Sequence, residues 1–107
     1  MPYTQQFTDP APDFEDLAQL PGTAVIEFGV DWCPHCQSAQ PFIREALQDR
    51  GDITHIKIED GPGRKLGRHF KVKLWPTLVV LRQGEEIGRV TRPLSAQLVD
   101  EQFPVAI

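Results

Sequence analysis

Cysteine is scarce in this 107-residue chain: there are two, three positions apart, too few for a disulfide framework or a four-thiolate metal site. Long apolar runs are missing too. No stretch approaches the ~18 consecutive apolar residues of a membrane-spanning helix. The opening Met1-Pro2-Tyr3-Thr4-Gln5-Gln6 has neither the basic nor the apolar region of a secretory signal, so a cytoplasmic protein is expected. Basic charge is not in excess, since 11 Lys and Arg against 15 Asp and Glu leave a net charge of −4. A phosphate-reading surface draws its affinity from clustered Lys and Arg. The one basic cluster, Arg64, Lys65, Arg68, His69, Lys71 and Lys73, reads as a solvated helix face followed by a loop. Neither nucleic acid nor membrane is an expected partner.

What is present is an ordinary globular composition, 40% hydrophobic and 24% charged, at a length that suits one domain over 1–107. Residues 1–12 are polar and carry Pro2, Pro10 and Pro12, so they read as an N-terminal arm with at most a short edge strand. Asp13 caps a short helix reaching Leu20, and Pro21-Gly22 ends it. Thr23 to Gly29 is a β-branched and aromatic run of the kind buried on both faces, interrupted only by Glu27. From the cysteines to about Arg50 the period becomes helical, with Phe42, Ile43, Ala46 and Leu47 on one face, Pro41 as a kink and Gly51 as the stop. A strand over Ile53–Ile58, a helix from about Arg64 to Phe70, and a hairpin of Leu78–Leu81 and Glu86–Val90 about Gln83-Gly84-Glu85 follow. A helix from about Ser95 to Gln102 closes the chain.

The cysteines stand where a buried strand meets a helix. A bond between Cys33 and Cys36 closes too short a loop to stabilise much, so reversible redox chemistry explains the pair better. At the helix N-terminus Cys33 faces unpaired N–H groups and the positive end of the dipole, which favour its thiolate. Cys36, one turn on, is placed to resolve a mixed disulfide. Zinc wants four ligands, and His35 lies alone between the cysteines with His55 and His69 isolated elsewhere. Covalent haem needs a His directly after the second cysteine, where Gln37 stands.

The string Ile26-Glu27-Phe28-Gly29-Val30-Asp31-Trp32-Cys33-Pro34-His35-Cys36 resembles the thioredoxin family, and the likeness runs from about Asp13 to Gln102. Trp32, Pro41 and Trp75-Pro76-Thr77 fall where the family has its active-site Trp, kink proline and cis-proline. The resemblance implies an α/β fold with a central mixed sheet flanked by helices on both faces, and a thiol–disulfide oxidoreductase that reduces disulfides or other oxidised sulfur on partner proteins. It also implies a monomer, an electron donor such as a flavoprotein reductase or glutathione, and no metal, flavin or nucleotide. Two rivals stand beside this reading: a disulfide oxidant or isomerase outside the cytoplasm, and a thioredoxin-fold interaction module with little redox turnover.

Departures from the family carry the finer information. Pro34-His35 is similar to the dipeptide of bacterial periplasmic disulfide oxidants, whereas those proteins carry a helical insertion this chain has no length for. Glu27 replaces the family's usual buried Asp, Trp75 stands where a smaller residue commonly precedes the cis-proline, and Arg89 to Arg92 lacks the Gly that commonly follows the last strand. His35 is expected to stabilise the Cys33 thiolate as an imidazolium. Glu27 is expected behind Cys36 as its proton acceptor, with Lys57 as its partner. Trp32 forms part of a contact face, and Trp75 with Pro76 a wall of the substrate groove.

Overall fold

The computed structural model describes residues 3–104. Pro2 of the expected arm, and both ends of the expected 1–107 domain, lie outside the described residues. In chain order the elements are α1 (Phe14–Ala18), β1 (Thr23–Gly29), α2 (Pro34–Leu47), β2 (Ile53–Glu59), α3 (Lys65–His69), β3 (Thr77–Arg82), β4 (Glu85–Thr91) and α4 (Ala96–Asp100). The strands form one mixed sheet in the order β2-β1-β3-β4, parallel between β1 and β2 and antiparallel elsewhere.

β1 lies between two strands and under helices on both sides, which leaves it no solvent face. All seven of its residues are buried, as a continuous apolar run requires. Alternating side chains then divide the core into two layers. Ala24, Ile26 and Phe28 join Ile58, Val79 and Leu81 against Leu17 of α1 and Leu66 of α3. Val25 joins Ile53, Leu78 and Val80 against Ala39, Ile43 and Leu47 of α2 and Val99 of α4. Glu27 has the parity of Val25 and is therefore aimed at α2, whose first turn carries the cysteines.

Three expectations need correction here. α2 ends at Leu47 with Gln48 as its cap, before Gly51, because the Gln48 amide bonds back to Arg44 and the Arg50 amide to Leu47, so a right-handed turn closes the helix without a glycine. Phe42 is only partly buried, since the inward face of α2 is taken by Ala39, Ile43 and Leu47. The expected edge strand in the arm is reduced to a single bridge between Phe7 and Lys57.

The β3–β4 hairpin turns on Gln83 and Gly84, with φ of 52° and 83°, the pair of positive values a two-residue type I′ turn requires. Gly84 also abuts α1: a Cβ there would lie 2.7 Å from Ala18 Cβ and 3.0 Å from Ala18 Cα. Gly84→Ala should therefore cost about 1–3 kcal/mol from backbone strain and the forced contact. A lowered urea midpoint at unchanged slope is the expected observation, and an unchanged midpoint contradicts this account of the turn.

Candidate active site

The C-terminal end of β1 and the N-terminus of α2 meet at the cysteines. Gly29 ends the strand with Cys36 directly against it, since a Cβ there would lie 2.7 Å from Cys36 Sγ and 3.9 Å from Pro76 Cβ. Cys33 is the N-cap of α2, and its Sγ accepts the Cys36 amide at 3.4 Å. Pro34 takes the first helical position, where a missing N–H costs nothing and a fixed φ helps. Both cysteines are free thiols.

As whole residues, Cys33 and Cys36 are 6% and 5% exposed. Val30 and Trp75 pack with both of them. Their chemistry separates them. Burial raises the Cys33 thiol, but the Cys36 amide and thiol, the His35 amide and the Arg92 charge outweigh it, leaving Cys33 below its ordinary range. Burial pushes the Cys36 thiol up to about 12, with the nearby charges of Cys33 and Glu27 adding to the effect. His35 thus acts on Cys33 through its backbone N–H. Its side chain is exposed on the first turn of α2, and the cation that bears on Cys33 is Arg92.

The Trp75-Pro76 bond is cis, as is Asp9-Pro10. Trp75 is held by its indole N–H, which donates to Asp60 Oδ2 at 2.8 Å. Gly67 of α3 permits this, because a Cβ at that position would overlap the Asp60 carboxylate. Trp32 is 69% exposed and meets Trp75 edge-on at 6.0 Å, so the two indoles form one apolar wall beside the cysteines. Arg92 occupies the position where the sequence lacks glycine and adopts φ of 52°. Its amide donates to the Pro76 carbonyl at 2.9 Å and its Nε to the Trp75 carbonyl at 2.8 Å. The Trp75 carbonyl beside the cysteines is therefore already engaged.

Behind Cys36, Glu27 is 2% exposed. Lys57 lies 3.9 Å from its Oε2, but His55 is closer, with Nε2 at 2.8 Å from Oε1, and Gln40 donates to Oε2 at 2.7 Å. His55, set apart from the cysteines as a metal ligand, is thus a partner of Glu27. Parallel pairing sets Lys57 opposite Glu27 and His55 opposite Val25, and the alternation of β2 turns both toward α2. Burial alone would raise the Glu27 carboxyl. The His55 hydrogen bond, the Lys57 charge and the Gln40 amide outweigh it and hold the group below the ordinary glutamate range.

Glu27, Cys36, Gly29, Gln40 and Lys57 line a cleft of about 220 Å³, roomy enough for several waters. A larger cleft of about 470 Å³ runs between the arm near Phe14 and the start of α3, but neither cysteine touches it. Among the described residues no group of three His, Cys, Asp or Glu is placed to hold a metal, and no helix is long and apolar enough to cross a membrane. Sequence reasoning missed Gln40, His55, Asp60 and Arg92. A period-two reading of β2 and the i, i+4 step from Cys36 to Gln40 would have drawn attention to two of them.

The model of the thioredoxin family matches residues 7–102. The chain is 49% identical to thioredoxin 2 from Pseudomonas aeruginosa PAO1, solved in its reduced form, with a TM-score of 0.79 and 92% of each chain covered. It is 32% identical over 66 residues to thioredoxin H2-1 from Oryza sativa subsp. japonica, covering 62% of this chain and 48% of that protein. It is also 33% identical over 86 residues to protein disulfide-isomerase A3 from Gallus gallus, covering 78% of this chain and 17% of that one. The chain therefore spans about half or less of the length of these last two relatives. A family model covering nearly the whole chain, a mixed sheet with helices on both faces and two cysteines at the first turn of α2 agree, and the chain belongs to the thioredoxin family.

Proposed function

We propose that this chain is a thiol–disulfide oxidoreductase that reduces disulfides on partner proteins through Cys33 and Cys36. The observation that carries the reading is the split between the two thiols, one below its ordinary range and one at about 12. The Cys33 thiolate attacks the substrate disulfide, forming a Cys33 mixed disulfide and releasing the first substrate thiolate. Cys36 then attacks Cys33 Sγ as Glu27 accepts the Cys36 proton. The Cys33–Cys36 disulfide forms, and the second substrate sulfur leaves as thiolate and takes up a proton. Two electrons from a donor, a flavoprotein reductase or glutathione, restore the dithiol.

In this reading Pro34 and His35 set the helix start that supports the Cys33 thiolate, and the Cys-Pro-His-Cys sequence gives a more oxidising couple than a thioredoxin with a different dipeptide. Trp32, Trp75 and Pro76 form the wall on which substrate lies. Lys57 pairs with Glu27. The chain works as a single domain over 1–107, as a monomer, in the cytoplasm.

Insulin disulfide reduction, with each donor in turn, tests the proposal. Turnover is expected in the wild type, and its complete loss in Cys33→Ser. Absence of wild-type turnover, with partner binding intact in both proteins, would make the chain an interaction module instead.

A further inference from the structure

The arm at residues 3–8 touches every polar partner of Glu27. His55 has a fully buried side chain and two ring nitrogens to satisfy. Its Nδ1 faces the Thr4 amide at 2.8 Å. A backbone N–H can only donate, so Nδ1 must be the bare acceptor and the ring proton must sit on Nε2, which donates to Glu27 Oε1 at 2.8 Å. Thr4 Oγ1 adds a second tie by donating to the His55 carbonyl at 3.0 Å.

Gln40 is oriented in the same way. The Tyr3 hydroxyl donates to Gln40 Oε1 at 2.7 Å, which turns Gln40 Nε2 toward Glu27 Oε2 at 2.7 Å and the Cys36 carbonyl at 2.9 Å. Lys57 donates to the Gln5 carbonyl at 3.4 Å and to Gln40 Oε1 at 3.3 Å, and lies 4.9 Å from the centre of the Phe7 ring. The Thr8 amide fastens the arm to the Lys57 carbonyl at 2.8 Å. Gln5, Gln6 and Phe7 then form the outer wall of the cleft that holds Cys36 and Glu27.

We infer that the arm is part of the active site, with His55, fixed in one tautomer by Thr4, and Gln40, fixed in one amide orientation by Tyr3, as positioning residues that aim Glu27 at Cys36. The inference rests on the proposed role of Glu27 and extends it to residues that touch neither thiol with their side chains. Simple packing does not require this arrangement: two arm residues each satisfy the far end of a side chain whose near end donates to a different oxygen of one carboxylate. The titratable and charged groups around His55 are Glu27 on β1, Lys57 on its own strand, Tyr3 on the arm with its ring 5.4 Å away, and Arg44 of α2, which lies 5.2 Å from the Tyr3 ring.

A chromogenic aromatic disulfide reads the two chemical steps separately. Attack by Cys33 releases a first coloured thiolate, and attack by Cys36 on the mixed disulfide releases a second. His55→Phe should leave the first phase unchanged and slow the second roughly tenfold, with an altered pH profile. His55→Gln, which returns an N–H near the Nε2 position, should recover most of the loss. Tyr3→Phe removes one oxygen, leaves the longer Lys57 contact as the donor to Gln40 Oε1, and should also slow the second phase. It carries the test alone if His55→Phe does not fold. An unchanged second phase in Tyr3→Phe and in every folded His55 variant, beside a slowed one in Glu27→Gln, overturns the inference and leaves the role of Glu27 standing. A second phase unmoved by Glu27→Gln overturns both and leaves the two-cysteine cycle intact.

Discussion

Cys36→Ser should stop the cycle at its midpoint, with a stable mixed disulfide between Cys33 and the substrate and no turnover. The reason lies in how differently the thiols are held. Cys33 caps α2 and receives the Cys36 and His35 amides, while the Arg92 charge adds to a stabilised thiolate that survives the loss of the second sulfur. The serine hydroxyl can replace the Cys36 thiol in shape, but it cannot form a sulfur–sulfur bond. Mass spectrometry of the variant after incubation with a protein disulfide should show one substrate adduct, on Cys33. An adduct-free Cys36→Ser protein that still reduces substrate contradicts the assignment of Cys36 as the resolving thiol.

Glu27→Gln should slow the resolving step by about 10²-fold at neutral pH, the lower end of what a positioned base contributes. Two effects oppose each other in this variant. Removing the carboxylate takes away one of the charges that raise the Cys36 thiol, which eases its ionisation. It also removes the acceptor. Burial is the largest cause of the Cys36 elevation and persists in the variant, so loss of the acceptor decides the outcome. With no base in place, the variant depends on thiolate formed by free ionisation, and its resolving rate should climb about tenfold per pH unit while still below the thiol's raised value. The wild-type rate should be flatter, because Glu27, held below the ordinary glutamate range, is already ionised at neutral pH. Rapid mixing between pH 6 and 9 distinguishes the two profiles, and identical profiles would reduce Glu27 to a structural residue.

Much of this was readable before any fold was known, because the informative patterns were local. The continuous apolar run of β1, the Asp13 cap and the Gln83-Gly84 turn each depend on neighbours in sequence, and each matches the structure to within a few residues at the ends. The burial of Glu27 followed from its flanking residues. Its partner did not, because choosing between His55 and Lys57 requires the register of a parallel pair of strands separated by all of α2. The arm was even less legible. Tyr3 and Thr4 carry no periodic pattern, and their targets, Gln40 and His55, lie 37 and 51 positions away. Arg92 shows the opposite case: the missing glycine was visible, but not that an arginine in the left-handed region would fasten the Trp75 carbonyl and supply the cation near Cys33.

Differential alkylation of the reduced protein at pH 7, followed by peptide mapping, tests the division of labour between the thiols most directly. At that pH a thiol at about 12 is ionised to roughly one part in 10⁵, whereas Cys33 reacts from below its ordinary range. The account predicts that Cys33 is modified to completion before any label appears on Cys36. Labelling of Cys36 first, or of both at similar rates, would contradict it.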